Sequence, residues 1–156
     1  MRLVKSKDTR PELMVRMLCR NLGFRGYRLH RKDLPGKPDV AFIGGGLALF
    51  VHGCFWHGHD CHGRVRLPKS NQRYWRSKVD RNRTRDAESM AALQALGWHV
   101  IIVWECETRD LGQLAIRLKR FLDPLQYRPY PLRKTRAAPA VGRLPSGLPK
   151  KSIIAP

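Results

Sequence analysis

An α/β fold follows from three features of this 156-residue sequence. Two short apolar runs, Asp39–Ile43 and Leu47–Val51, flank Gly44-Gly45-Gly46, the pattern of two strands joined by a turn. A near-continuous apolar run, Trp98–Trp104, follows a long polar stretch, as a strand reached through a helix does. Leucines recur at helical spacing outside these strands, over residues 9–22 and 109–122. The length suits one domain with a sizeable core.

Taken in order, residues 1–8 are a basic arm. Thr9-Arg10-Pro11-Glu12 reads as a capping box with proline in the first turn. A helix therefore starts at Thr9 and stops at Gly23, with Leu13, Met17, Leu18 and Leu22 as its buried stripe. Tyr27–Arg31 reads as a short strand, ended by the turn Asp33-Leu34-Pro35-Gly36. Folding the glycine hairpin symmetrically about Gly45 sets Asp39 opposite Val51. Its carboxylate then lies near the Val51 carbonyl and beside His52. Residues 63–73 form a basic loop. A long helix covers about 71–96, offering Tyr74, Trp75, Val79, Met90, Leu93 and Leu96 for burial, with Gly97 as terminator. Its middle is polar nearly all round, hence exposed or facing a ligand. Trp98–Trp104 belongs in the sheet interior beside the hairpin. The last helix spans about Arg109–Leu122, with Leu111, Leu114, Leu118 and Phe121 inward. Residues 124–156 hold seven prolines, seven Lys or Arg and no acid. Such a segment buries too little apolar surface to offset its ordering entropy, so a disordered basic tail is expected beyond a domain of residues 1–123.

Lys and Arg outnumber Asp and Glu by 31 to 12, a formal net charge of +19. A surplus of this size selects a polyanionic partner, nucleic acid first, because each neutralised phosphate releases counterions. No apolar run approaches the ~20 residues of a membrane span. The first 30 residues carry no signal-peptide core, which points to the cytoplasm. The cysteines then read as thiolates for metal rather than as disulfides.

The chemistry concentrates between Pro38 and His62, which holds four of the six histidines and two of the four cysteines. Cys54, His59 and Cys61 have the spacing of zinc ligands, and Cys106, directly after the apolar strand, is the best remote fourth. His62 and Asp60 are alternatives, while Cys19 reads as core. Asp39 opens a strand where a carboxylate can face a cleft, and with Glu12, His52 and His57 it makes a site for a hard ion such as Mg²⁺. Either histidine could take a proton from water near neutral pH, with Asp86 on the long helix as orienting partner. The bland readings stay open: His57 as a further zinc ligand, His52 as a satisfied strand-end residue, Glu12 as no more than the helix cap. Phe55 and Trp56 either pack over the metal loop or stand out as a wedge between base pairs.

The stretches KDTRPE (7–12), DLPGKPDVAF (33–42), FVHGCFWHGHDC (50–61), NRTRDAESMAALQALGW (82–98) and VIIVWEC (100–106) closely resemble the very-short-patch repair (Vsr) DNA mismatch endonucleases. The resemblance covers roughly residues 1 to 120. It implies a restriction-endonuclease-like (PD-(D/E)xK-type) fold, a mixed central sheet flanked by helices, with a structural zinc site. It also implies Mg²⁺-dependent nicking of double-stranded DNA 5′ to the T of a T:G mismatch left by 5-methylcytosine deamination. By position, Asp39 resembles the metal-binding aspartate and Val51 the residue lending a backbone carbonyl. His57 resembles the catalytic histidine supported by Asp86, with His52 and Glu12 as further members. Cys54, His59, Cys61 and Cys106 match the Zn²⁺ set, and Phe55 and Trp56 the intercalating pair. A monomer in the bacterial cytoplasm, associated with the nucleoid, is implied, with mismatch-repair proteins as candidate partners. Where the wider fold class carries D/E-x-K, this sequence reads Phe50-Val51-His52, which suits a histidine-based variant. Val51 stands where threonine is usual, and only its carbonyl is needed. Two rival readings remain: a restriction-type nuclease on unmismatched duplex, and an inactive zinc-stapled DNA-binding module.

Overall fold

The computed structural model describes residues 7–61 and 67–125; most of the expected basic arm, His62 with the first part of the expected basic loop, and the expected tail from residue 126 lie outside them. Helix α1 is Arg10–Asn21, followed by strands β1 (Arg28–Leu29), β2 (Val40–Phe42) and β3 (Leu47–His52). Helix α2 (Gln72–Ala95), strand β4 (His99–Trp104) and helix α3 (Leu111–Leu122) complete the order. The four strands make one sheet, β1-β2-β3-β4, antiparallel up to β3 and parallel between β3 and β4. No helix among the described residues is long and apolar enough to cross a membrane.

Thr9 caps α1 as expected, but the buried stripe is rotated. Val15, Leu18 and Cys19 are inside together with Glu12 and Arg16, whereas Leu13 and Met17 are 51% and 42% exposed. Residues 12, 15, 16 and 19 share one face at helical spacing. Turning two charged side chains inward therefore swings Leu13 and Met17 out.

The hairpin register also differs from the symmetric expectation by one residue. Val40 pairs with Leu49, Ala41 with Ala48 and Phe42 with Leu47, so the ladder's continuation sets Asp39 opposite Phe50, not Val51. The connection explains the slip. Ile43–Gly45 is a 3-10 turn, closed by Gly46 at φ +61°, so Ile43 leaves the strand and four residues separate the paired ends. An even-numbered connection cannot be symmetric about Gly45.

Strand β4 lies beside β3, with Leu47 opposite His99 and His52 opposite Trp104, but at the edge of the described sheet rather than inside it. Its apolarity has another cause. Ile101 and Val103 join the main core of α1, α3 and the hairpin, while Val100 and Ile102 pack with Ala48, Phe50 and Leu93 on the opposite face. Helices cover both faces, so both sets of side chains must be apolar. Helix α2 ends in a Schellman closure, Trp98 N–H to the Leu93 carbonyl and Gly97 N–H to the Gln94 carbonyl. Within it Val79 and Leu93 are buried, whereas Tyr74 and Leu96 are 45% and 63% exposed, against expectation. In α3, Asp110 accepts from the Gln113 N–H, and Leu114, Leu118 and Leu122 are fully buried. Each such leucine stabilises the fold by roughly 1.5–3 kcal/mol relative to exposure.

Candidate active site

A cleft of about 590 Å³ opens over the end of the sheet, lined among others by Glu12, Asp39, Val51, His52, Trp56, His57, Arg85 and Asp86. Asp39 stands at the entrance to β2. Its Oδ2 accepts a hydrogen bond from the Val51 N–H at 2.7 Å, so the contact with Val51 survives the register slip through the amide. Burial pushes the Asp39 carboxyl up to about 6, opposed by that hydrogen bond and reinforced by the Glu12 charge.

Glu12 performs its capping role and more. Its Oε1 accepts from the Thr9 hydroxyl at 2.8 Å, while Oε2 accepts from the Asp8 N–H at 3.0 Å and from Arg16 Nη2 at 2.9 Å. Arg16 is 4% exposed, and its Nη1 also donates to Asp8 at 2.5 Å. Its Nη2 lies 3.0 Å from His30 Nε2, and His30 Nδ1 lies 3.7 Å from Asp39 Oδ1. Arg16 and His30 were not singled out from the sequence. One signal was available: Tyr27–Arg31 and Asp39–Ile43 flank a Pro-Gly turn, and pairing them sets position 30 opposite 39. The observed pairs, Arg28 with Ala41 and Leu29 with Val40, extend to that match.

The other wall is built by one helix and one loop. His57 Nδ1 is 2.5 Å from Asp86 Oδ2, and the His52 ring stacks on His57 with centroids 3.8 Å apart. His52 Nδ1 is buried with no hydrogen-bond partner, 3.8 Å from the same Asp86 oxygen. Burial, with the neighbouring His57, lowers His52 to about 4, so that ring is neutral near pH 7. Helix α2 holds the loop by its carbonyls: Asn82 Nδ2 donates to Trp56 at 2.8 Å and Arg83 Nε to His57 at 3.2 Å. Arg83 Nη2 also donates to the Gly58 carbonyl. Phe55 and Trp56 form an aromatic cluster with Trp75, at centroid separations of 5.4 Å and 6.1 Å, and Lys78 Nζ sits 5.1 Å from the Trp56 centroid. Asn82, Arg83 and Lys78 also escaped the sequence reading, and Trp75 was read only as a residue for burial, because one turn of a polar helix looks like another until the loop is seated on it.

Cys54, His59, Cys61 and Cys106 offer ligand atoms that all lie within 4.8 Å of one another, a cluster able to hold a metal ion. His59 Nδ1 is 3.6 Å from the Cys54 sulfur and 3.5 Å from that of Cys106. Asp60 is outside this cluster. Burial and the neighbouring thiols push Cys106 up to about 12. Cys19 is buried in the core, as expected.

The family model described as DNA mismatch endonuclease Vsr matches residues 1–63. The type II nicking enzyme V.XorIIP of Xanthomonas oryzae pv. oryzae is 56% identical over 125 residues, covering 80% of this chain and 90% of that protein. The DNA mismatch endonuclease Vsr of Escherichia coli is 37% identical over 114 residues, covering 73% and 72%. Among solved structures, the catalytic domain of the homing endonuclease I-Bth0305I superposes with a TM-score of 0.50 at 17% identity, over 74% of this chain and 96% of that one. That likeness shows a nuclease-type mixed α/β fold. With its cleft, its paired histidines and these relatives, the chain belongs to the Vsr family of endonucleases.

Proposed function

We propose that this protein is a strand-specific mismatch endonuclease that nicks duplex DNA 5′ to the T of a T:G mismatch. It would act as a monomer, with a restriction-endonuclease-like centre in which histidine replaces lysine. The observation that carries this reading is convergence. Asp39, Glu12 and the His57–Asp86 pair line one cleft, and the loop that delivers His57 also carries Phe55 and Trp56.

The donor sets fit two metals. Tetrahedral zinc, with bonds of about 2.3 Å to sulfur and 2.0–2.1 Å to nitrogen, separates S from N by about 3.6 Å. The two separations at His59 are 3.6 and 3.5 Å. A structural zinc would tie the 54–61 loop to the end of β4 through Cys106. In the cleft, Asp39 is half-buried near Glu12, and a hard cation would relieve the cost of its charge. Mg²⁺ would be held there by Asp39 and the Val51 carbonyl. When bound, it would neutralise charge on the scissile phosphate and acidify water.

The protein's own groups supply the rest. With Nδ1–H donated to Asp86, the His57 lone pair is on Nε2, free to take a proton from the attacking water. Asp86 then stabilises the imidazolium that forms. Neutral His52, stacked against His57, fixes the ring plane without adding competing charge. Water attacks phosphorus, the 3′ oxygen leaves, and the downstream strand keeps a 5′-phosphate. Phe55 and Trp56 would enter the base stack, where a mismatch costs least to open.

The test uses end-labelled duplexes carrying T:G, A:C or no mismatch, incubated with Mg²⁺. A single nick 5′ to the mismatched T is expected. Equal cutting of both strands of the fully paired duplex identifies a restriction-type nuclease instead. Binding without cleavage identifies an inactive DNA-binding module.

A further inference from the structure

Asp8, Glu12 and His30 together resemble a cation site, and the cation is already present. The Arg16 guanidinium lies 2.5 Å from Asp8 Oδ1, 2.9 Å from Glu12 Oε2 and 3.0 Å from His30 Nε2. Arginine is permanently charged and can only donate. His30 Nε2 must therefore accept, which leaves its ring proton on Nδ1. That is the nitrogen facing Asp39 Oδ1 across 3.7 Å. The other oxygen, Oδ2, already accepts from the Val51 N–H. The carboxylate is thus approached by two donors, one from β3 and one from the residue that follows β1.

We propose that His30, its tautomer locked by Arg16, is a positioning residue that holds the Asp39 carboxylate in the orientation its divalent metal requires. This rests on the reading of Asp39 as a metal ligand. Ligating carboxylates are held by hydrogen bonds of their own, and loss of such outer partners costs 10–100-fold in metal affinity or activity. The separation of 3.7 Å exceeds a hydrogen bond, so the N–H acts as an oriented dipole until the carboxylate closes on it. Arg16 contributes a second effect. Its charge offsets Glu12, which otherwise disfavours an ionised Asp39.

Two substitutions separate positioning from packing. Asn at position 30 places an amide N–H close to where Nδ1 stands, and it tolerates the local φ of +46° better than Gln or Ala. Gln reaches instead toward the Nε2 position. Two metal titrations are compared in wild type, His30→Asn, His30→Gln and His30→Ala. One is nicking against Mg²⁺ concentration; the other is Mn²⁺ binding, followed by loss of the free-ion paramagnetic resonance signal. His30→Ala and His30→Gln should need roughly tenfold more metal in both, with metal-free DNA affinity unchanged. His30→Asn should stay within about threefold of wild type. Wild-type metal dependence in His30→Ala, or His30→Asn as impaired as His30→Ala, overturns the proposal. Asp39→Ala serves as the control for the underlying reading. Unaltered Mn²⁺ binding in that variant removes Asp39 as a ligand and overturns both, whereas its loss beside an unaffected His30→Ala overturns the positioning role alone.

Discussion

Asp39 carries a charge that the fold makes costly. Its value of about 6 lies above the ordinary 3.8, because burial and Glu12 outweigh the Val51 hydrogen bond. The native state therefore holds this proton more tightly than the unfolded chain. Its contribution to stability is full below about 3.8 and is lost as pH rises through about 6. Asp39→Asn should then be more stable than wild type at pH 7 without divalent metal, by on the order of 1–3 kcal/mol, while nicking is abolished. Thermal melts of both proteins across this range check it; an Asn variant that melts lower at pH 7 contradicts the account. His57 makes a different demand. Removing the proposed base in His57→Ala should slow nicking by about 10²–10⁴-fold with DNA affinity retained, read from single-turnover rates beside equilibrium binding. At this scale the sequence marks side chains that the fold brings together, such as His57 with Asp86 and the three clustered cysteines with His59. Arg16 and His30 were invisible, because an arginine on a helix and a histidine after a strand are common, and only their meeting at 3.0 Å gives them meaning.

The loop over residues 53–59 is the element on which the centre depends. It hydrogen-bonds to itself, His57 N–H to the Gly53 carbonyl and His59 N–H to that of Cys54, and to Asn82 and Arg83 on α2. Gly58 makes the seating possible. It adopts φ +62°, and an added Cβ would lie 2.5 Å from Val79 Cγ1 and 2.9 Å from Arg83. Gly58→Ala should therefore cost about 1–3 kcal/mol and shift Trp56 and His57 together. Matched losses in mismatch binding and nicking rate are expected; loss of rate alone would show that the two side chains move independently. A metal on Cys54, His59, Cys61 and Cys106 would tie the other end of this loop to the turn that follows β4. Removing it with a zinc chelator should lower the melting temperature by several degrees and release roughly one zinc per chain, measured by a metal-binding dye. An unchanged melt would deny the cluster a structural role. Element existence was legible from caps and periodicity, as Thr9, Gly97 and the α3 leucines show. Element rotation was not. Hydrophobic spacing assigned Leu13 and Met17 to the core, and the inward pull of Glu12 and Arg16 overrode it.

For the whole molecule, the net charge of +19 should make DNA association steeply salt-dependent, with log affinity falling linearly against log salt. Deleting residues 126–156 removes seven positive charges. That should flatten this slope while leaving the proposed preference for T:G over paired duplex intact. Filter binding across a salt series measures both quantities, and a lost T:G preference would assign the tail to recognition. Composition and periodicity were enough to indicate an α/β fold, and the density of histidine and cysteine in one stretch marked the cluster of candidate metal ligands, because these depend on residue type and local spacing. The face α1 buries, the one-residue register of the hairpin and the seating of the 53–59 loop on α2 depended on the folded chain. Each is settled by contacts between residues far apart in sequence, where a rotation or a single-residue shift leaves the local pattern unchanged but alters which side chains meet.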